Sequence, residues 1–138
     1  MADRQGVNYK TVQQNGEYGN ACVAVFEDAF AADTADTVLQ LGQLAGSVVI
    51  HRVTAKTADL GGAQTMDIGY RYLTATDGTS DADGFFDGID TGTAAATNTF
   101  VGPTRIANGH GVEIVAQNIG AAATGAIAVI VEYTYVGQ

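Results

Sequence analysis

The sequence predicts an all-β fold: an antiparallel β-sandwich, jelly-roll-like, with an extended N-terminal arm. Short runs that alternate apolar and polar residues recur along the chain, which is typical of half-buried strands. Glycine is frequent, with 18 residues, and proline occurs once, whereas no segment shows a sustained helical period. The chain has 138 residues, of which 46% are hydrophobic, so it is long enough for one domain with its own core. We therefore expect an arm over residues 1–20 and a single sandwich domain over residues 21–138.

The expected strands are short, roughly seven or eight in number, and are separated by turns rich in Gly, Asp, Asn and Thr. They are predicted over residues 21–30, 38–44, 47–56, 65–75, 110–118 and 126–136, and residues 91–100 are predicted to be a loop or a weak edge strand. Strict alternation over 47–56 places Val49, His51 and Val53 on one face. The same rule gives two further faces: Met66, Ile68, Tyr70 and Tyr72; and Ile127, Val129, Val131, Tyr133 and Tyr135.

The negative net charge limits which kinds of partner the protein can bind. The formal net charge is -9 and the pI is about 4.2, so nucleic-acid backbones and anionic membranes would be repelled. A basic protein surface is the better electrostatic match. No apolar run reaches the ~18 residues of a membrane helix, and residues 1–20 lack the apolar stretch of a signal peptide. We expect a soluble protein that is made in the cytoplasm and binds neither nucleic acid nor membrane directly.

The segment "DGTSDADGFFDGID", Asp77 to Asp90, is the strongest candidate for a chemical site. An EF-hand calcium loop places carboxylates at alternate positions, a glycine at the sixth and a glutamate at the twelfth. A frame that starts at Thr79 puts Gly84 at the sixth position and four carboxylates at the third, fifth, ninth and twelfth: Asp81, Asp83, Asp87 and Asp90. The first carboxylate and the final glutamate are missing, and no helices flank the loop. The four aspartates are therefore weak metal candidates.

A catalytic pair of carboxylates is the least favoured interpretation of this segment, because no His, Arg or Lys lies nearby in sequence to assist. The favoured interpretation is a solvated turn, since Asp and Gly are typical turn residues. Phe85 and Phe86 would then enter the core or a subunit interface and hold the loop in place.

Other chemistry is not indicated. The sequence contains no phosphate-binding glycine motif, no HExxH, no CxxC and no GxSxG. Cys22 lies in the apolar stretch "ACVAVF" and is predicted to be a small buried thiol. His51 is predicted to be a hydrogen-bonded strand residue, and His110 a turn residue with no partner in view. We expect no catalytic residue, no cofactor and no enzymatic activity.

The pattern resembles small structural proteins of tailed bacteriophages, and more narrowly their capsid decoration (cement) proteins with a jelly-roll domain. The resemblance rests on a polar N-terminal arm, on the stretch "VLQLGQLAGSVVIHRVTAKTADLGGAQTMDIGYRYLTA", on the "DADGFFDGID" segment, and on the ending "GAAATGAIAVIVEYTYVGQ". It covers nearly the whole chain from Val38 onward, although its motifs are diffuse and no single residue is diagnostic.

The resemblance implies a protein that assembles as a homodimer or homotrimer on the outer surface of the capsid and bridges major capsid subunits. The N-terminal arm would suit a clamp across the shell, with its basic and aromatic residues as anchors: Arg4, Tyr9, Lys10 and Tyr18. Two alternatives remain: a phage tail or head-fibre structural protein, and a calcium-dependent β-sandwich binding module that uses the Asp77–Asp90 segment.

Overall fold

The computed structural model describes residues 3–7, 9–10 and 21–136, and within them nine strands form two sheets. The strands are β1 (Asp3–Gln5), β2 (Ala21–Asp33), β3 (Val38–Leu44), β4 (Val48–Thr57), β5 (Thr65–Tyr72), β6 (Asp81–Asp90), β7 (Ala96–Ile106), β8 (Val112–Ile119) and β9 (Ala123–Tyr135). The first sheet has the order β1-β3-β8-β5-β6 and the second the order β2-β9-β4-β7. The prediction of an all-β sandwich is confirmed, while its jelly-roll form and the division at residue 20 stay predictions.

Most pairing joins strands that are distant in the sequence. β2 pairs antiparallel with β9 along its whole length, from Ala21 with Thr134 to Asp33 with Ala123. β8 lies between β3 and β5 and is antiparallel to both. The exception to the antiparallel pattern is β1, which runs parallel to β3. The first sheet therefore ends in a three-residue strand at one edge and in β6 at the other.

The core lies between the two sheets and is filled by the inward face of each strand. Burying one such aliphatic or aromatic side chain contributes about 1.5–3 kcal/mol. The predicted inward face of β9 is confirmed, because Ile127, Val129, Val131 and Tyr133 are buried and Tyr135 packs against the core. The predicted face of β5 is confirmed as well: Met66 and Ile68 are fully buried, and Tyr70 and Tyr72 pack against the cluster.

The prediction for β4 is wrong, because the strand contains a bulge between Ile50 and Arg52 in its pairing with both neighbours. A bulge adds one residue and reverses the alternation beyond it. Ile50 and Val53 are both buried, whereas His51 and Arg52 are both exposed. Strict alternation had placed His51 beside Val53.

The acidic segment is also not a turn, since residues 81–90 form the edge strand β6. Its composition favours turns, but pairing with β5 overrides that preference. The pairing has two irregularities, and β6 approaches closely at Gly69, where an added Cβ would lie 2.5 Å from the carbonyl carbon of Ala82. Phe85 and Phe86 are buried, at 5% and 7% exposure, as predicted.

The prediction of a loop or a weak edge strand over residues 91–100 is confirmed, because the first half is a loop and the second half begins an edge strand. Residues 91–95 lie outside any strand, and β7 begins at Ala96 as the edge of the second sheet. Pro103 lies within it, at a position where an edge strand tolerates a missing N–H donor. Within the described residues, no helix is long and apolar enough to cross a membrane.

Candidate functional site

The N-terminal segment lies against the sandwich along β3. Parallel pairing aligns Asp3 with Val38 and Gln5 with Gln40, and the Gly6 amide donates to the Gln40 carbonyl at 2.6 Å. The Val7 amide donates to Asp28 Oδ2 at 2.7 Å. The backbone of the segment therefore bonds the backbone of β3 in the first sheet and the Asp28 side chain of β2 in the second sheet.

Arg4 secures this segment to the end of β2. Its Nε and Nη2 donate to the two carboxylate oxygens of Asp33 at 2.9 and 2.8 Å, and Nη2 also donates to the Ala29 carbonyl at 2.9 Å. This bidentate geometry is the strong form of an arginine–carboxylate pair. The hydrogen bond from Arg4 lowers the pKa of Asp33 below its ordinary value of 3.8.

Tyr9 makes the second attachment, to Glu113 on β8. The Tyr9 hydroxyl donates to Glu113 Oε2, and Gln40 Nε2 donates to the same oxygen at 2.9 Å. Arg71 Nε donates to Glu113 Oε1 at 2.7 Å, while its Nη2 reaches Asp3 Oδ2 at 3.0 Å. Burial and the bond to Glu113 raise the pKa of Tyr9 to about 12, so its hydroxyl stays a donor at neutral pH.

We call these two attachments, Arg4–Asp33 and Tyr9–Glu113–Arg71, the N-terminal clasp. Of the predicted capsid-contact residues, Arg4 and Tyr9 belong to it and contact their own chain. Lys10 is exposed, and Tyr18 lies outside the described residues. A role for the four residues in capsid contact stays a prediction.

The aspartates of β6 form a different arrangement with Asp67 of β5, at the opposite edge of the first sheet. Carboxylate oxygens of Asp67, Asp83 and Asp87 lie within 4.8 Å of one another. Burial raises the pKa of Asp67, and the charges of Asp87 and Asp83 add to the shift, against a lowering bond from the Gly88 amide. A hydrogen bond with Asp83 raises the pKa of Asp81. We call these four aspartates the acidic edge.

The acidic edge differs from the predicted metal set by one exchange, since Asp67 takes the place of Asp90. Asp90 instead accepts hydrogen bonds from the Gly92 amide and the Thr93 hydroxyl at 3.1 and 3.0 Å, which is a turn-capping role. Asp67 was missed because it lies on another strand, and its only sequence signal is a carboxylate on the polar face of β5. Three close carboxylates could hold a calcium ion, although such groups are common on protein surfaces.

The histidines and the cysteine show no catalytic grouping. His51 bonds the Thr134 hydroxyl at 2.8 Å, as predicted for a hydrogen-bonded strand residue. His110, predicted to have no partner, bonds Asp77 Oδ2 through Nδ1 at 3.0 Å, and its amide bonds the same oxygen at 2.8 Å. Cys22 is half-buried rather than fully buried. Among the described residues, the three-carboxylate group found at the acidic edge includes no His or Cys.

Comparison with known proteins gives a result at the level of fold. No protein-family model matches the chain, and no curated protein sequence matches it. A chain in the capsid of Ralstonia phage GP4 has a TM-score of 0.76 and 19% identity, over 99% of both chains. A chain in the cyanophage Pam1 capsid asymmetric unit has a TM-score of 0.67 and 18% identity, over 89% of this chain and 90% of that one.

A third similar chain occurs in the acidic stable capsid of the Helicobacter pylori bacteriophage KHP30. It has a TM-score of 0.63 and 12% identity, over 88% of this chain and 92% of that chain. The three matches each cover the sandwich nearly end to end. They establish that this chain has the same fold as chains found in three phage capsid structures.

Proposed function

We propose that this protein is a virion structural protein that decorates the outer surface of a tailed-phage capsid and stabilises it by bridging major capsid subunits. The observation that carries the proposal is the likeness to the GP4 capsid chain, which extends over 99% of both chains with a TM-score of 0.76. A match of this extent supports a common architecture rather than one shared motif. The partners are the major capsid protein and other copies of this chain, as a homodimer or homotrimer.

Binding rather than catalysis is the mechanism, so the protein is not an enzyme in this proposal. Each copy needs only a modest interface, because many copies on one shell act together and a protein that bridges two subunits gains from effective concentration. The net charge of -9 favours a basic shell surface over the packaged nucleic acid. The buried core and the N-terminal segment held by the clasp would suit a protein that bridges subunits.

The test is co-sedimentation of the purified protein with capsids that lack it, in calcium and again in EDTA. We expect saturable binding that is the same in both buffers. Absence of binding to capsids, together with binding to isolated tails or head fibres, would overturn decoration in favour of the other virion locations.

The hypothesis that the N-terminal arm contacts the shell needs point variants rather than a truncation. Arg4 and Tyr9 of the clasp lie within residues 3–10, and deleting them would remove the partners of Asp33 and Glu113. Lys10→Glu and Tyr18→Ala change no residue of the clasp. We expect each to weaken capsid binding if the arm contacts the shell, with an unchanged melting temperature. Ala75→Glu, which adds a negative charge at an exposed position after β5 and away from the second sheet, is the control. Unchanged binding of both arm variants would remove the arm from the interface.

One observation favours a second candidate function, a calcium-dependent binding module. The carboxylates of Asp67, Asp83 and Asp87 lie within 4.8 Å of one another, which is close enough to share one cation. A ligand that binds only the folded state raises stability by mass action. A calcium-dependent rise in melting temperature that Asp83→Asn abolishes, with no capsid binding, would favour this candidate.

A further inference from the structure

The outward face of the second sheet carries an apolar centre that no described residue covers. Val23 and Val25 on β2 are 60% and 47% exposed. Val25 lies directly opposite Ile130 of β9, and Ile130 lies opposite Thr54 of β4. Cross-strand partners share one face of a sheet, so Val25, Ile130 and Thr54 form a row across the middle of the sheet. Exposed apolar patches of this kind mark interaction surfaces.

Opposite charges flank this apolar row. Glu27 on β2 and Lys56 on β4 both lie opposite Ala128 of β9, one on each side. With strands about 4.8 Å apart, the two charged residues stand about 10 Å apart across a small residue. Among the described residues neither takes part in an ion pair.

The face is also not acidic, although the protein is. Glu132, an outward residue of β9, is 3.7 Å from Arg52 of β4, and Arg105 of β7 lies opposite the outward Val49. The face therefore carries two carboxylates, Glu27 and Glu132, and three cations, Arg52, Lys56 and Arg105. Most of the surface of a chain with net charge -9 would repel a second copy of itself. This face would not, and the charges are divided, with Glu27 on the β2 side and the cations Arg52 and Lys56 on the β4 side.

A twofold axis that lies parallel to the sheet, above β9 and midway between two copies, brings this face against its own copy whether it runs perpendicular to β9 or along it. When the axis runs along β9, the β2 side of each copy lies over the β4 side of the other. Glu27 of one copy then meets Lys56 of the second, and the same contact repeats by symmetry. Ile130 meets its own counterpart at the centre, and Val25 meets Thr54. Glu132 also meets its own counterpart, and Arg52 of the same chain, 3.7 Å from each Glu132, offsets that repulsion. An apolar centre with a charged rim is the usual anatomy of a protein interface, and aligned packing of two sheets is a common geometry.

We propose that the outward face of the second sheet is the self-association surface of this protein, with a second copy of the chain as its occupant and the twofold axis along β9. The inference deepens the proposed function and rests on it for the homo-oligomer. The Glu27–Lys56 contacts set the register, because charge pairs at a rim contribute specificity more than affinity. The apolar row supplies the area that is removed from water.

Charge reversal provides a sharp test by sedimentation velocity over a range of protein concentrations, without capsids. Glu27→Lys and Lys56→Glu each place two like-charge contacts in the dimer, and we expect each to weaken self-association by about tenfold or more. In an equimolar mixture of the two single variants, the introduced lysine of one copy meets the introduced glutamate of the other, and the second contact is the native pair. We therefore expect the mixture, and the double variant, to associate as the wild type does.

Asp87→Lys is the matched control, because it makes the same change of charge at the acidic edge of the other sheet and should leave association unchanged. Val25→Asp should abolish association while circular dichroism shows a folded sandwich. A wild-type protein that stays monomeric, single variants that associate normally, or a mixture that fails to recover would each overturn the inference. Capsid co-sedimentation is measured separately, so a monomeric protein that still binds capsids defeats this inference alone, and a dimer that ignores capsids defeats the proposed function alone.

Discussion

The N-terminal clasp and the acidic edge hold carboxylates in opposite electrostatic settings. In the clasp, Asp33 and Glu113 each accept two or more hydrogen bonds and each faces a guanidinium. At the acidic edge, Asp67, Asp83 and Asp87 face one another. The pKa of Asp33 is lowered and that of Asp67 is raised. The comparison shows that this acidic protein places two of its few basic residues, Arg4 and Arg71, where distant chain segments are joined. Among the described residues, the carboxylates of the acidic edge have no such partner and repel one another.

The largest expected effect comes from Glu113→Ala in the clasp. This change leaves the Tyr9 hydroxyl and Arg71 without their buried partner, and losing one member of a buried polar network costs about 2–4 kcal/mol. Urea unfolding followed by circular dichroism gives the free energy of unfolding. Asp87→Ala at the acidic edge is the control, and we expect it to change stability by less than about 0.5 kcal/mol. Equal losses of stability in the two variants would contradict the difference between the clasp and the acidic edge.

Asp33→Asn should have a smaller effect, about 1 kcal/mol, because the Arg4 pair is partly open to solvent. Its local consequence is sharper, since the N-terminal segment loses its charge-assisted attachment to β2. We expect faster amide hydrogen exchange in residues 3–7 and no change in β9. Asp36→Asn, at the exposed turn after β2, should leave exchange in residues 3–7 unaltered. Normal protection in Asp33→Asn would show that β1 is held by its backbone pairing alone.

The clasp and the acidic edge should also respond to acid with opposite signs. Asp33 has a folded pKa below 3.8, so its stabilising contribution is complete above the unfolded pKa and is lost as the pH falls through the folded value. Asp67 has a raised pKa, so its ionised form destabilises the fold, and that penalty disappears as the pH falls through its folded pKa. Carboxyl NMR titration should show Asp67 protonating first. The reverse order would contradict the assignment.

The smallest expected effect comes from Asp83→Asn, which removes one of the mutually repelling charges. We expect stability to rise by up to about 0.5 kcal/mol, measured as melting temperature in EDTA. Adding calcium separates repulsion from metal binding. A wild-type protein that gains stability from calcium while the variant does not would show that the acidic edge holds a cation.

The sequence was sufficient to predict the strands and faces that follow local alternation. β9 and β5 show the reason, because each has one face of large apolar residues that only the core can accommodate. The prediction for β4 failed at His51, since a bulge depends on how two neighbouring strands align and leaves no local signal. The prediction of a turn over residues 81–90 failed because this segment pairs with β5 and approaches it closely at Gly69. That pairing outweighs the turn preference of Asp and Gly.

The candidate sites were less predictable, because they join residues that are distant along the chain. Glu113, Arg71 and Tyr9 lie on different strands or segments, and nothing in the spacing of the three indicates that they meet. The membership of Asp67 in the acidic edge was not predicted for the same reason, because Asp67 lies on β5 and the other aspartates lie on β6. By contrast, the burial of Phe85 and Phe86 was predictable, since two adjacent aromatic residues in a polar stretch have few other places to go.

The pairing of β2 with β9 has a consequence for the timing of folding. Ala21 pairs with Thr134 and Asp33 with Ala123, so β2 has no neighbour in its sheet until the distant strand β9 has been synthesised. Sandwiches dominated by such distant pairings fold in milliseconds to seconds, more slowly than helical domains. Until β9 has been synthesised, Phe26 and Phe30, which the finished fold buries, are exposed on an unpaired strand, which is a hazard for aggregation. Glu27 and Asp28, which lie on the same strand, supply negative charge that opposes aggregation until β9 has paired.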